Sequence, residues 1–194
     1  VVGRDPHSLD EPGVSRAAIE SLAESTSDGI VAPLFWLLLF GLPGIVLYKA
    51  ANTADSMIGH KSERYAQFGW ASARLDDLVN WIPARLTALL IAGGSFLVRR
   101  ADPEHAWGSA LRDAKKHSSP NAGWPEAAFA GALGLQLGGP RSYEGETHDL
   151  PSFGDGRSDL TARDIFKALE LYWVAMNVLL AATLVIGLLL WRFV

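Results

Sequence analysis

The sequence predicts an all-α, multi-pass integral membrane protein in which polar helical loops separate apolar helices. The first observation behind this prediction is a set of three apolar segments, at residues 30–48, 82–98 and 172–191. About 20 apolar residues in a helix cross the hydrocarbon layer of a bilayer. The second observation is the concentration of polar residues into two long loops, at residues 49–81 and 99–171. We expect a single membrane domain over residues 1–194.

The composition excludes several other classes of protein. Hydrophobic residues make up 49% of the chain and charged residues 20%, which excludes a disordered chain and a coiled coil. The absence of cysteine excludes a disulfide framework, a thiolate zinc site and a cysteine nucleophile. The net charge of -4 argues against nucleic acid as a partner. The sequence also contains no phosphate loop, HExxH or GxSxG motif.

The polar N-terminal segment predicts a helix that starts at Glu11, with Pro12 in its first turn. An apolar stripe with a period of 3.6 residues supports this prediction. Glu20, Glu24 and Asp28 then share one face of the helix, where like charges four residues apart repel each other. This row is either a solvated face or a site for a cation or a phosphate–metal group.

The first apolar segment, Ile30 to Tyr48, carries no charge over nineteen residues and predicts a membrane span. Pro43 lies inside it between Gly41 and Gly44. A proline cannot donate the backbone hydrogen bond of a helix. We therefore expect a kink or a broken helix at this point.

The remaining apolar segments differ in length. Residues 82–98 predict a second, shorter span, with Arg85 near one end and Gly93 and Gly94 suited to close helix packing. Residues 172–191 carry no charge and have aromatic residues at both ends, which is typical of a span. Residues 127–137 are too few to cross and predict a buried or re-entrant helix. The segment that follows them is dense in Gly, Pro, Ser and Asp and predicts a loop.

Polar residues cluster in the loops between these segments. Positions 52, 55, 56 and 59 share one helix face, Asp76 and Asn80 are neighbours at four residues' spacing, and Arg74 can reach Asp77. Such groups suit a magnesium–nucleotide or anion site, although an ordinary ion-pair network looks the same. In the second loop, a turn precedes a helix start, with His117 before it and Arg141 and Tyr143 after the helix. This arrangement can hold a phosphate or a carboxylate.

Several long motifs in one order resemble the CobD/CbiB family, the adenosylcobinamide-phosphate synthases of cobalamin biosynthesis. They are VGRD, IESLAESTSDGIVAPLFW, YKAANTADSMIGHKSERYAQFGWASARLDDLVNWIPARL, RDAKKHSSPNAGWPEAAFAGALGLQLGGPRSYEG and YWVA. The resemblance covers nearly the whole chain. Because family members are longer, it implies that these residues form about the C-terminal two thirds of a longer chain.

The resemblance implies an enzyme of the inner cell membrane. Such an enzyme is a carbon–nitrogen ligase that joins adenosylcobyric acid to (R)-1-aminopropan-2-ol or its phosphate, with ATP and Mg²⁺. Its partners would be these substrates, the lipid bilayer and other membrane enzymes of the cobalamin pathway. Two departures from the family pattern, Ser25 and His60, argue against site roles for those residues.

The family motifs and the loop residues above give the predicted roles. For the metal we expect Asp55, Asp76 and Asp77. For catalysis we expect Lys61, Arg74 and Arg85 to offset the transferring charge and His117 or Glu126 to accept the amine proton. For substrate binding we expect Asn52, Ser56, Asn80, Ser119, Asn121, Gly139, Arg141 and Tyr143.

Two alternatives to a ligase stay open at this point. One is a non-catalytic signalling protein of the AmpE type, whose relatives are not expected to keep SSPNAGWPEAA and SARLDDLVNWIPARL intact. The other is a corrinoid transporter, which prolines and glycines within spans would suit. Against transport, no predicted span carries a central charge.

Three simple spans create a conflict, because they place residues 52–80 and residues 117–139 on opposite faces of the membrane. A single site then requires a re-entrant segment, a site at membrane depth, or fewer spans. The segments Ile30 to Tyr48 and Ile82 to Val98 are the two candidates for this correction.

Overall fold

The protein is described here by a computed structural model covering residues 9–59, 66–139, 141–143, 146–148 and 150–192. Within these residues the chain is mostly helical, with α-helices α1 (Glu11–Thr26), α2 (Ala32–Ile58), α3 (Ala66–Val79), α4 (Trp81–Ser95), α5 (Pro103–Asp113), α6 (Gly123–Leu133) and α7 (Ala162–Trp191). Four short strands lie between α6 and α7: β1 (Leu137–Gly138), β2 (Arg141–Tyr143), β3 (Glu146–His148) and β4 (Ser152–Phe153). The strands pair antiparallel as β1 with β4 and β2 with β3.

Helix α1 begins where the sequence predicts. The Asp10 carboxylate accepts a hydrogen bond from the Gly13 N–H at 2.9 Å and caps the helix, while Pro12 occupies the first turn. Ile19 and Ala23 are buried in the core between α1, α4 and α6. A π-helical turn, Ser27–Val31, joins α1 to α2 without a break in the chain's helical path.

Helix α2 is folded back on itself at Gly41. Gly41 has φ 64° and ψ -151°, a conformation that interrupts the helix and that glycine tolerates. The Tyr48 hydroxyl donates to the Asp28 carbonyl oxygen at 2.9 Å, whereas a straight helix would separate residues twenty apart by about 30 Å. Gly44 lies so close to the other limb that a Cβ there would be 2.3 Å from the Trp36 carbonyl oxygen. The two limbs therefore run antiparallel as a helical hairpin.

This hairpin corrects the first predicted span. The break at Pro43 is confirmed, but residues 30–48 do not form one straight helix that crosses. Within the predicted span, residues 30–40 rise about 16 Å and residues 42–48 about 10 Å, and both distances fall short of a hydrocarbon layer of roughly 30 Å. The tip carries exposed apolar side chains, including Phe40 at 60% and Leu42 at 73% exposure. Residues 30–48 thus have the geometry of a re-entrant segment.

Helix α4 corrects the second predicted span. It has fifteen residues, which rise about 22 Å and fall short of a bilayer crossing. Ala88 and Ile91 are fully buried, and Gly94 contacts the backbone of Ala175 in α7, where an added Cβ would lie 3.4 Å away. One side of α4 is therefore buried inside the protein, whereas Trp81, Ile82 and Leu89 are about half exposed.

By length and composition alone, two helical stretches of the described chain could cross a membrane, Glu11–Ile58 and Ala162–Leu189. The first of these contains the hairpin break at Gly41. The second contains residues 172–189 of the third predicted span, and most of its side chains beyond residue 176 are exposed. Among the described residues, α7 is thus the unbroken helix that is long and apolar enough to cross a membrane. The multi-pass arrangement stays a prediction.

Helix α6 is the buried centre of the domain. Every residue from Pro125 to Ala132 is buried, as predicted for a short apolar helix in this region, and the helix starts at Gly123 as expected but ends at Leu133, before the predicted end at residue 137. The segment predicted as a loop contains the four short strands, so the fold is not purely α. Buried Asp113 fastens this segment to α5 through a hydrogen bond from the Gly154 N–H at 2.8 Å.

Candidate functional site

Polar side chains of α2, α3 and the start of α4 meet where the second limb of α2 returns. The Asn52 amide donates to Asp76 Oδ1 at 3.2 Å and links α2 to α3. The Tyr48 hydroxyl, besides its bond to Asp28, lies 3.0 Å from Asn80 Oδ1. Asn80 is 1% exposed and begins α4. The hairpin therefore places the first predicted cluster beside the start of α4.

Asn121 joins this cluster to the turn that precedes α6. Its side-chain amide donates to the Asp77 carbonyl oxygen at 2.8 Å, and its Oδ1 lies 3.5 Å from Arg85 Nη1. Its own N–H donates to Ser119 Oγ at 3.2 Å. Asn121 is 5% exposed, so these bonds are protected from water. The two loops that three simple spans would separate are thus in direct contact on one side of the molecule.

Arg85 is held between two indole rings. Its guanidinium carbon lies 4.1 Å from the centroid of Trp81 and 4.7 Å from that of Trp124. The guanidinium also donates to the Trp81 carbonyl oxygen. Burial lowers the pKa of Arg85 from its ordinary value, although arginine stays charged at neutral pH. The result is a fixed cation at the entrance to α6.

His117 and two carboxylates form a second group at the same turn. His117 Nε2 lies 3.7 Å from Glu126 Oε1, and its Nδ1 accepts the Ser119 N–H at 2.9 Å. Glu24 of α1 completes the group, since one ligand atom from each of the three residues lies within 4.8 Å of the others. Glu126 is 2% exposed. Among the residues the structure describes, this is the one set of three such groups close enough to share an ion.

Asp28 connects the two groups. It lies one helical turn beyond Glu24 and next to Tyr48. Burial raises the pKa of Asp28 to about 7, and the negative charge of Asp76 contributes to this rise, with a smaller contribution from Glu24. A carboxyl that exchanges its proton near neutral pH therefore lies between the Asn52–Asp76 cluster and the His117 group.

Comparison with known proteins gives the family. Residues 1–172 match the family model described as CobD/Cbib protein. The chain belongs to the CobD/CbiB family. No solved structure matches it.

Curated relatives of this CobD/CbiB chain are each named cobalamin biosynthesis protein CobD. The protein from Brucella suis biovar 1 is 56% identical over 191 residues, which are 95% of this chain and 58% of the relative. The protein from Rhizobium meliloti is 57% identical over 92% of this chain and 55% of its own length. The protein from Rhodobacter capsulatus is 57% identical over 97% of this chain and 57% of its own length. The chain thus spans less than two thirds of these relatives.

The structure of this CobD/CbiB member does not assemble the predicted metal set. Asp55, Asp76 and Asp77 are not among the groups of three within 4.8 Å in the described part of the chain. Asp76 faces Asn52, whereas the Asp77 carboxylate points to Arg74 at 3.8 Å. Consecutive helix positions point about 100° apart, so adjacent carboxylates do not converge on one ion.

Other predicted residues lie away from the cluster. The Arg74 side chain is 66% exposed, and its predicted contact with Asp77 is confirmed. Ser56 is exposed and donates to the Asn52 carbonyl oxygen. Gly139 lines a different cavity, with Arg16 and Pro151. Lys61 and the side chains of Arg141 and Tyr143 lie outside the described residues.

Glu24 belongs to the group with His117 and Glu126, but the roles predicted from the family motifs do not include it. The row of Glu20, Glu24 and Asp28 signalled a cation site, and the structure divides the row. Glu20 accepts the Gly138 N–H at 2.7 Å and supports β1, Asp28 adjoins Tyr48, and Glu24 meets His117. Like charges on one helix face were therefore a useful signal, although each serves a different neighbour.

Proposed function

We propose that this chain carries the site of an ATP-dependent carbon–nitrogen ligase of cobalamin biosynthesis. The reaction joins a propionate carboxylate of adenosylcobyric acid to (R)-1-aminopropan-2-ol or its phosphate. The names of the curated relatives support the pathway. One observation supports the reaction: a cation and a proton acceptor meet on one segment, residues 117–126, since Arg85 contacts Asn121 and Trp124 within it and His117 lies 3.7 Å from Glu126.

An amide ligase needs these two kinds of group close together. A carboxylate and an ammonium do not condense in water, so the acid is first activated, most simply by transfer of the γ-phosphoryl group of ATP to one carboxylate oxygen. The amine must then lose a proton before its nitrogen attacks the acyl carbon and phosphate leaves. A cation serves the first step, and a proton acceptor serves the second.

Arg85 fits the activating step. Its guanidinium is fixed between Trp81 and Trp124 and keeps donors for a carboxylate or phosphoryl oxygen. Fixed charge in a partly dry site stabilises developing negative charge without reorganisation. Asn121 is hydrogen-bonded to Arg85 and to the Asp77 backbone, and it therefore fixes the position of the guanidinium relative to the turn.

Asp76 is the carboxylate that fits a magnesium–nucleotide complex. In such sites Mg²⁺ takes one or two protein carboxylates and completes its shell with phosphate oxygens and water. Asp76 is partly buried, oriented by Asn52, and adjacent to Asn80 and Tyr48. When bound, the ion would neutralise part of the phosphate charge.

We also propose that the enzyme works at the inner cell membrane as a multi-pass protein. The exposed apolar tip of the α2 hairpin and the exposed apolar half of α7 support contact with lipid. Such a location would let it meet other membrane enzymes of the pathway.

A growth test addresses the reaction in a complete protein. In the Rhodobacter capsulatus relative, the matched segment is replaced by this chain, and the chimera is expressed in a cobalamin-requiring bacterium without its own synthase. We expect the chimera to support growth on cobyric acid as well as on cobinamide. The Glu126→Gln variant of the chimera should lose growth on cobyric acid but keep growth on cobinamide. A chimera that is present in the membrane yet supports growth on cobinamide alone would contradict the proposal.

A further inference from the structure

A cavity of about 420 Å³ opens where the connection from α4 to α5 passes the first turns of α7. Three cations line this cavity, Arg99, Arg100 and Lys167, against one carboxylate, Glu170. None of these residues belongs to the candidate functional site. The cavity therefore carries an excess of positive charge that the proposed reaction does not use.

The two arginines are the cations that are available to a ligand. Lys167 pairs with Asp164 at 3.1 Å, whereas neither Arg99 nor Arg100 forms a side-chain hydrogen bond or an ion pair within the described part of the chain. Both arginines are exposed, so each guanidinium keeps its N–H donors free. The planar N–H fork of a guanidinium matches the oxygens of a phosphate. The cavity thus suits a phosphate-bearing anion.

The backbone of Arg100 is held in an unfavourable conformation. Its φ is 72°, in the left-handed region that few residues other than glycine adopt. The turn is fixed on both sides, because Val98 is buried and the Asp102 N–H donates to the Ala132 carbonyl oxygen at 2.9 Å. Conformations of this kind persist where the surrounding structure imposes them. The two arginine side chains therefore leave the chain from a fixed turn.

Exposed apolar side chains adjoin the cationic residues in both segments of the chain. Phe96 and Leu97, which directly precede the turn, are 77% and 70% exposed. On α7, Trp173 lies one turn after Glu170 and is 62% exposed, and the exposed apolar half of the helix follows it. Tryptophan at the end of an apolar helix is typical of the headgroup level of a bilayer. The cavity thus lies where the polar domain meets the apolar half of α7.

We infer that this cavity binds the headgroup of an anionic phospholipid, with Arg99 and Arg100 on its phosphate. A soluble phosphate would match the arginines alone, whereas a phospholipid matches both the cations and the exposed apolar side chains beside them. The hydroxyls of a phosphatidylglycerol headgroup can also donate to Glu170. The inference rests on the proposed membrane location and is independent of the ligase reaction.

Lipid binding is measured with the chimera described above, purified in detergent and titrated with phosphatidylglycerol or with phosphatidylcholine of the same acyl chains. We expect native mass spectra to show tighter binding of phosphatidylglycerol. Replacing both arginines, as Arg99→Gln with Arg100→Gln, should weaken its binding about 25-fold, because each basic residue near anionic lipid contributes about fivefold in affinity. Binding of phosphatidylcholine should not change.

The matched control removes two positive charges elsewhere. Lys115 and Arg163 are exposed and do not line the cavity, so Lys115→Gln with Arg163→Gln should leave the affinity for phosphatidylglycerol unchanged. Circular dichroism checks the fold of each variant. If the double arginine variant is misfolded, Arg99→Gln alone should still weaken the binding about fivefold.

Three results would overturn the lipid site. They are equal affinities of the unaltered chimera for the two lipids, equal losses in the two double variants, and displacement of phosphatidylglycerol by micromolar inorganic phosphate at constant ionic strength. ATP and corrinoid are absent from the assay, so failure of the ligase reaction would leave its result unaffected. A chimera recovered in the soluble fraction without detergent would overturn the membrane location and the lipid site with it.

Discussion

Replacing Arg85 by alanine should slow the ATP-dependent activation of the corrinoid carboxylate by about 100-fold or more. The rate of activation is measured as the rate at which hydroxylamine converts the activated acid to a hydroxamate. The guanidinium is the fixed cation at the entrance to α6, and loss of one preorganised donor to developing charge typically costs 10²–10³ in rate. Lysine should rescue little, because it cannot stack between Trp81 and Trp124 or reach Asn121 with a planar fork. The rate is measured with the chimera at saturating ATP, with circular dichroism as the check on folding.

Arg74 provides the matched control for Arg85. It lies on the neighbouring helix α3, but its side chain is 66% exposed and pairs loosely with Asp77 at 3.8 Å. Such surface pairs contribute little, and Arg74→Ala should leave the rate within about twofold. A folded Arg85→Ala protein with the rate of the unaltered chimera would remove Arg85 from the site.

Replacing Asp113 by asparagine should destabilise the domain by about 2–4 kcal/mol at neutral pH. The Asp113 side chain is 1% exposed and accepts from Arg112 at 2.7 Å, from Lys116 at 2.8 Å and from the Gly154 N–H at 2.8 Å. Burial alone would raise the pKa of Asp113, but the hydrogen bonds from Arg112 and Lys116 outweigh it and lower the pKa well below its usual range. Thermal unfolding in detergent measures the loss.

At low pH the difference in stability between Asp113→Asn and the unaltered protein should disappear. A carboxylate with a lowered folded-state pKa contributes stability above its unfolded pKa, near 3.8 here, and the contribution is lost as the pH falls further.

Asp155→Asn is the control for Asp113→Asn. Asp155 also pairs with Arg112 at 3.1 Å but is 69% exposed, so its loss should cost less than about 1 kcal/mol. Equal unfolding temperatures for Asp113→Asn and the unaltered protein at neutral pH would refute this account of the strand segment.

The break in α2 could be predicted from the sequence, but the reversal of the chain into a hairpin could not. Gly41, Pro43 and Gly44 predict a break, because each removes a constraint or a hydrogen bond of a regular helix. How far the chain turns depends on contacts distant in sequence, such as Tyr48 with Asp28 and Trp36 Nε1 with the Val79 carbonyl oxygen at 3.0 Å. Neither contact can be read from local periodicity.

Helix α4 shows a second limit of sequence patterns. An apolar helix looks the same whether lipid or protein surrounds it. Its length and packing are what local patterns do not show, since fifteen residues are too few to cross a bilayer and eight of them are buried, with α5, α6 and α7 packed against the helix. Treating α4 as a span is what produced the conflict between the two loops.

The site could be predicted in its parts but not in its pairings. Asp76 and Asn80 are neighbours, as their four-residue spacing predicts, but their side chains bond other residues: the Asp76 carboxylate accepts from Asn52, and the Asn80 side chain lies next to Tyr48. Helical spacing identifies which side chains share a face, while the partner across the interface depends on how helices pack. Glu24 lacked a specific role for the same reason, because its partners lie nearly a hundred residues away in sequence.

The central claim is that α4 does not cross the membrane, so that residues 52–80 and residues 117–126 lie on one face of it. Cysteine accessibility tests it directly, because the chain has no cysteine of its own. Thr53→Cys and Ser118→Cys, both at exposed positions, are treated with an impermeant maleimide in vesicles of each orientation, and Arg192→Cys reports the far end of α7. We predict that Thr53→Cys and Ser118→Cys label from the same face and Arg192→Cys from the other. Labelling of Thr53→Cys and Ser118→Cys from opposite faces would show that α4 crosses the membrane and would contradict the single site.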